Sequence, residues 1–210
     1  MQGSAEWLRK RMGKITCSEL HKLMSPNIVT RNSYLEKLNE EKVLLIEGIS
    51  DEELLNRSVA NDAMKWGTFH EDEARAFYEL RHDVDITVPD FLEHPILKGF
   101  GYSTDGLVVG DAGQIEVKCP YNQSVHANTI VHGMPDKHRD QVQGGMSITG
   151  AIWTDFVSYD PRQASRKFFE QRIYRDDSYI SLIEERVQEA LTHLENGTLF
   201  GDSEAVPRLF

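Results

Sequence analysis

Gln114-Ile-Glu-Val-Lys118 alternates apolar and charged side chains with a period of two, the pattern of a strand with one face turned to a core. Ile115 and Val117 then share one face, while Glu116 and Lys118 stand together on the other, about 7 Å apart. Just upstream, Gly110-Asp-Ala-Gly113 carries the glycines of a tight hairpin connection. A hairpin there folds the run Gly101-Tyr-Ser-Thr-Asp-Gly106 back alongside and brings Asp105 next to Glu116. Two carboxylates on neighbouring strands make a hard-oxygen site suited to Mg²⁺ or Mn²⁺, with the backbone carbonyl of Val117 between the two side chains as a further ligand. Hydrolysis of a phosphodiester needs an activated water, spreading of negative charge and a neutralised leaving oxygen, which a carboxylate-held metal supplies. Lys118 is placed to hold or deprotonate the water. By itself, Glu-x-Lys on a strand is more often an exposed cross-strand pair; the spacing Asp-x10-Glu-x-Lys, followed by Cys119-Pro120, lifts it above that.

Outward from this hairpin, Asp85 to Lys118 reads as a meander of short strands: Ile86-Thr-Val88, Phe91-Leu92, Gly99 to Ser103, Leu107 to Val109 and Gln114 to Lys118. Helical spacing marks Ser33 to Leu45 and Asn61 to Arg81, the second with Asn61 as N-cap. Thr16 to Met24 reads as a short helix with a Thr16/Glu19 capping box. A helix from Asp136 to Thr149 is followed by strands Thr154 to Tyr159 and Phe168 to Tyr174. An amphipathic helix runs from Ser178 to Glu195. The fold class expected is α/β, a mixed central sheet flanked by helices.

No repeat or linker divides the 210 residues, so one domain over residues 1–210 is expected. No apolar run approaches the roughly 20 residues of a membrane span, and Met1-Gln-Gly-Ser-Ala-Glu-Trp7 lacks the form of a secretory leader, which points to the cytosol. Two cysteines, Cys17 and Cys119, are too few for a disulfide scaffold or a four-cysteine zinc site. The net charge of −11 argues on its face against a nucleic-acid partner, yet the charge is unevenly spread. Basic residues gather at Arg9, Lys10, Arg11 and Lys14, while the acidic runs read as solvated helix faces.

Glu71 is a further candidate, because helical spacing puts it on the stripe of Gly67, Ala74 and Tyr78. A carboxylate facing the protein needs a partner, and a metal or an arginine would answer. His70-Glu71 does not open a zinc-protease helix, since Ala74 stands where the second histidine is required. His126, His132 and His138 recur every six residues, a spacing that fits neither one helical face nor a zinc site.

The Asp105, Glu116 and Lys118 spacing matches the signature of PD-(D/E)XK nucleases. Five blocks carry a more specific likeness: Trp7 to Ser18, Trp66-Gly-Thr-Phe-His-Glu71, Ser103-Thr-Asp-Gly-Leu107, Ile115-Glu-Val-Lys-Cys-Pro120 and Gln141-Val-Gln143. In order and spacing they resemble the phage lambda exonuclease family of YqaJ-type viral recombinases. The resemblance implies a restriction-endonuclease-like core and a Mg²⁺-dependent enzyme, with Mn²⁺ as a substitute. It implies degradation of the 5′-ended strand of duplex DNA to mononucleotides, leaving a 3′ overhang for recombination. A ring-shaped homotrimer and a single-strand annealing partner are also implied. Asp105, Glu116, the Val117 carbonyl and Glu71 correspond to the metal site, Lys118 to the catalytic lysine, and Arg11, Ser18, Ser103 and Gln141 to a 5′-phosphate pocket.

Met64 takes the place of a strand-separating wedge, with core packing as the alternative. Arg31 is offered as a groove-contacting base, and His138 as a DNA contact from the helix carrying Gln141. Two competing functions are a structure-specific endonuclease on the same core and a DNA-end-binding scaffold without turnover.

Overall fold

The computed structural model describes residues 3–58 and 61–201. Met1 and Gln2, where the leader reading starts, and residues 59–60 and 202–210 of the single-domain reading lie outside them. In chain order the elements are α1 (Ala5–Arg11), β1 (Ile15–Thr16), α2 (Leu20–Leu23), α3 (Ile28–Ile46), α4 (Asp51–Arg57), α5 (Asp62–His82), β2 (Ile86–Thr87), β3 (Leu92–Glu93), β4 (Phe100–Tyr102), β5 (Gly106–Val108) and β6 (Gly113–Lys118). Then follow α6 (Gln123–His132), α7 (Arg139–Thr149), β7 (Trp153–Tyr159), β8 (Phe168–Tyr174) and α8 (Asp177–Asn196), with 3₁₀ turns leading into α2 and α7.

The larger sheet has the order β2-β5-β6-β7-β8, mixed because β6 and β7 run parallel while the other pairs are antiparallel. Its hairpin is the expected one: Gly106 pairs with Ile115, and the connection turns through Gly110 at φ +79°, a conformation that glycine adopts without steric cost. One face of this sheet is apolar. Ile115, Val117, Val157 and Trp153 pack there against Ala74 and Tyr78 of α5, each aliphatic side chain contributing about 1.5–3 kcal/mol on burial. Across the sheet lies α7, whose Val142 and Met146 pack with Ile180 of α8.

A second sheet, β1-β4-β3, sits beside the first and corrects the meander. β4 pairs with β1 in parallel and with β3, not with β5, while β2 reaches past both to β5. Helices α2, α3 and α8 cover this small sheet through Leu23, Leu35, Leu38, Ile183 and Val187. The helix placed at Thr16 to Met24 is also corrected. Thr16 belongs to β1, its hydroxyl meets Ser18 instead of capping the helix, and Glu19 pairs with Lys22. With Thr16 committed to the sheet, the segment goes through a 3₁₀ turn at Cys17–Glu19 before the one α turn of α2.

Asn61 caps α5 as expected, its side chain accepting from the Met64 N–H at 2.9 Å. The helix read at Ser33 starts earlier, at Ile28, because Asn27 supplies the cap. α7 approaches β4 closely: a Cβ on Gly145 would come within 2.8 Å of the Tyr102 ring. That contact sets Gln141 of α7 and Tyr102 of β4 on either side of Glu116. No helix among the described residues is long and apolar enough to cross a membrane.

Candidate active site

Glu116, in the middle of the larger sheet, is fully buried. Its Oε2 accepts the Tyr102 hydroxyl at 2.8 Å, and its Oε1 accepts the Gln141 amide at 2.5 Å and pairs with the Lys118 ammonium. Asp105 lies just before the start of β5, held by the hairpin, and its Oδ2 accepts the Val117 N–H at 2.7 Å. Burial first, then the charge of Glu116, push the Asp105 carboxyl well above the usual carboxylate range, against the pull of Lys118. For Lys118, burial works against the charged form, but Glu116 and Asp105 outweigh it and hold the ammonium above its ordinary pKa. The charged form of Lys118 is therefore favoured beside these two carboxylates.

Glu71 reaches the same place from α5, its side chain 18% exposed. Of the two partners open to it, the arginine is present: Arg75 donates to Glu71 at 2.9 Å. Burial raises the Glu71 pKa, Arg75 and Lys118 oppose that, and the Glu116 charge adds to it. Three acids thus share one small volume with Lys118 and Arg75, and Arg75 also serves the exposed Asp72.

The donor set suits a hard divalent cation. Buried carboxylates short of positive charge, one of them pushed toward protonation, are what such an ion relieves. As the side chains stand, no three His, Cys, Asp or Glu groups among the described residues converge as a ready-made metal site. Lys118 and Gln141 occupy Glu116 Oε1 instead. Asp105, Glu116, Glu71 and the Val117 carbonyl are the groups that could hold the ion.

A cleft of about 470 Å³ opens over Glu71 and Asp105, while the fully buried Glu116 is not part of its lining. Arg11, Ser18, Ser103 and Gln141 line it together with Glu71, Asp105, Val117 and Lys118, so the two sets of residues named from sequence meet in one cavity. Arg11 donates to Ser103 Oγ at 3.0 Å and to Ser18 Oγ at 3.2 Å, and its guanidinium lies 4.3 Å from the Trp7 ring, whose N–H also reaches Ser103. Of the basic group near the N-terminus, Arg9 pairs with Asp51, Lys10 with Glu6 and Asp90, and Lys14 with Glu93. Arg11 is the member that makes no ion pair among the described residues, and burial lowers its pKa.

Met64 lines the cleft and is 55% exposed, which removes the core-packing alternative. Arg31 is not brought to the cleft; it donates to the Ser25 carbonyl at 2.7 Å and lies over the Phe200 ring. The three histidines separate. His126 is buried between Ser158 and the Arg166 carbonyl, His132 is exposed at the end of α6, and His138 lines the cleft. Burial, helped by Lys118 and Lys137, pushes the His138 pKa down to about 3, so its imidazole is neutral.

Sequence reasoning missed Tyr102, Arg75, Trp7, Thr68 and Lys137 as parts of the site. Arg75 carried a signal, its i,i+4 spacing from Glu71. Lys137 lies one turn before Gln141. Tyr102 had none, being tied to Glu116 only through the fold.

Comparison with known proteins gives the family and the fold. A family model described as the YqaJ-like viral recombinase domain matches residues 6–152. Among solved structures, an alkaline exonuclease from Laribacter hongkongensis, LHK-Exo, superimposes with a TM-score of 0.79 at 36% identity, over 90% of this chain and 92% of that one. The same protein in complex with dAMP gives 0.80 at 38% identity, with the same coverage. A phage-related exonuclease from Haemophilus somnus 129PT shares the fold, with a TM-score of 0.63 at 16% identity over 87% of this chain and 93% of that one. No curated protein sequence gives a significant match.

The fold, a mixed sheet flanked by helices, is that of the alkaline exonuclease structures. The chain belongs to the YqaJ-like viral recombinase family, and its likeness to LHK-Exo supports a DNA exonuclease of the lambda-exonuclease type.

Proposed function

We propose that the protein is a Mg²⁺-dependent 5′-to-3′ exonuclease of duplex DNA ends. It would cut the 5′-phosphorylated strand to mononucleotides and leave a 3′ overhang for recombination by strand annealing. Arg11 carries this reading: a half-buried guanidinium with no carboxylate partner among the described residues, aimed with two serine hydroxyls into the cavity that holds the acids. Guanidinium and hydroxyl donors suit a terminal phosphate, the first by its fixed fork, the second as neutral donors.

In the reaction, Arg11, Ser18 and Ser103 hold the terminal phosphate and so set which phosphodiester lies over Asp105 and Glu116. Lys118 orients the attacking water and donates toward charge building on the phosphoryl oxygens. Mg²⁺, or Mn²⁺ in its place, supplies Lewis-acid activation of water and charge neutralisation when bound by Asp105, Glu116, the Val117 carbonyl and Glu71. Gln141 spans the two halves, since its amide is on Glu116 and its side chain lines the phosphate end of the cleft. Met64 stands exposed at the cleft wall, where an apolar side chain can part the terminal base pair.

Assembly as a homotrimer, work alongside a single-strand annealing protein, and action in the cytoplasm of a bacterial or phage-infected cell belong to the same proposal, on the family likeness. The test is nucleotide release from linear and from covalently closed duplex, with and without Mg²⁺. Release from the linear form alone, dependent on Mg²⁺, is expected. Cutting of the closed circle would establish an endonuclease, and binding without release a scaffold.

A further inference from the structure

Among the described residues, Arg75 hydrogen-bonds to both the helix half and the strand half of the acid cluster. Its Nε donates to the backbone carbonyl of Asp105 at 2.9 Å, and one terminal nitrogen donates to Glu71 at 2.9 Å. The other terminal nitrogen donates to Asp72 at 2.7 Å. The Arg75 side chain is 15% exposed and that of Glu71 18%, whereas that of Asp72 is 90% exposed, so the inner bonds are the sheltered ones. All three bonds use the planar fork of arginine, which a lysine ammonium does not reproduce.

The rest of the Asp105 loop is tied to its own sheet. Thr104 bonds to Gly106, and the Asp105 carboxylate bonds to the Val117 N–H. On its other side, α5 is anchored further along by Ala74 in the core and by the Tyr78 hydroxyl on Asp155 at 2.7 Å. Through Arg75, then, the spacing between the acid of α5 and the acid just before β5 is fixed side chain to main chain.

We propose that Arg75 is a positioning residue for the divalent-cation site, holding Glu71 and Asp105 at their working separation. This rests on the metal-dependent reading above. Two opposite effects of one side chain make it testable. As a charge, Arg75 repels a divalent cation, so removing it should tighten binding. As a strut, it assembles the ligands, so removing it should weaken binding. Outer partners of metal ligands are typically worth about 10–100-fold in affinity, which puts the strut effect within measurable range.

The experiment is titration of the full-length protein with Mn²⁺, reading free Mn²⁺ by electron paramagnetic resonance, for the wild type, Arg75→Met, Arg75→Lys and Asp72→Asn. Thermal unfolding is followed in parallel, and DNA-end binding is measured without metal. Arg75→Met and Arg75→Lys should both bind Mn²⁺ about tenfold or more weakly, with end binding kept and Asp72→Asn close to wild type. Tighter or unchanged binding by Arg75→Met overturns the proposal, as does wild-type binding by Arg75→Lys, which keeps the charge and guards against misfolding of the first variant. Failure of the wild type itself to bind Mn²⁺ would overturn the metal reading and the Arg75 role with it.

Discussion

The two ends of the cleft are built differently. Glu116 and Asp105 ride on a sheet paired on both sides of β6, fully or nearly fully buried, with Glu116 held by Tyr102, Gln141 and Lys118 at once. Arg11 ends a seven-residue helix that contributes no buried side chain, and it is positioned by two serines and a tryptophan ring. The acid end is overdetermined, as bond-breaking geometry demands. Arg11 is less tightly enclosed, which suits its proposed role of accepting and releasing a strand end at each turnover.

The comparison predicts separable defects. Lys118→Ala should be the most severe, lowering nucleotide release by about 10²–10³-fold or more, the usual loss for a donor at developing charge. End binding, measured by fluorescence anisotropy without metal, should persist. If binding falls in step with turnover, the two ends are not separate. Arg11→Ala should lose about 10–100-fold on 5′-phosphorylated ends, from hydrogen bonds to a charged group worth about 1.5–3 kcal/mol, and far less on 5′-hydroxyl ends. Equal losses on both would break the phosphate assignment.

A pH effect comes next. Asp105 and Glu71 have raised pKa values in the folded protein, so each contributes stability that is complete below its unfolded-state pKa and lost as pH rises through the folded one. Above the ordinary carboxylate range, where Glu73, Asp90, Glu93 and Asp160, whose pKa values are lowered, already give their full contribution, metal-free protein should therefore melt at lower temperature as pH rises through the raised values. Added Mg²⁺ should restore stability by an amount that grows with pH, and differential scanning calorimetry across pH decides it. A Mg²⁺ effect that is flat or shrinks with pH would contradict the account.

Smaller still, Tyr102→Phe should cost about 0.5–1.5 kcal/mol of stability for the lost hydroxyl bond, read by urea unfolding, with Glu116 still held by Gln141 and Lys118.

Much of the acid end could be read from local pattern. Alternation in Gln114 to Lys118 and the glycines of the hairpin are short-range signals, and they place Asp105 beside Glu116 without any knowledge of the rest. Glu71 followed from helical spacing. What escaped depends on contacts distant in sequence, such as the Tyr102 hydroxyl reaching across from the second sheet, or on segments with weak periodicity. Helix α6 is of the latter kind: Val125, Ile130 and Val131 make no clear stripe, although Asn122 caps it. The second sheet hid for the same reason. Its strands are two or three residues long, and parallel pairing of β1 with β4 leaves no hairpin signature. Arg31 was read from its charge and its place in the segment after the first helix, neither of which says which way a side chain points.

The most direct test of the central claim, that one cleft joins end recognition to hydrolysis, uses a linear duplex with one 5′ end phosphorylated and the other hydroxylated, digested in Mg²⁺ by the wild type and by Arg11→Ala. The account predicts that the wild type consumes the phosphorylated strand first and that Arg11→Ala consumes both slowly and at matched rates. A wild type indifferent to the phosphate, or an Arg11→Ala enzyme that keeps the preference, would contradict it.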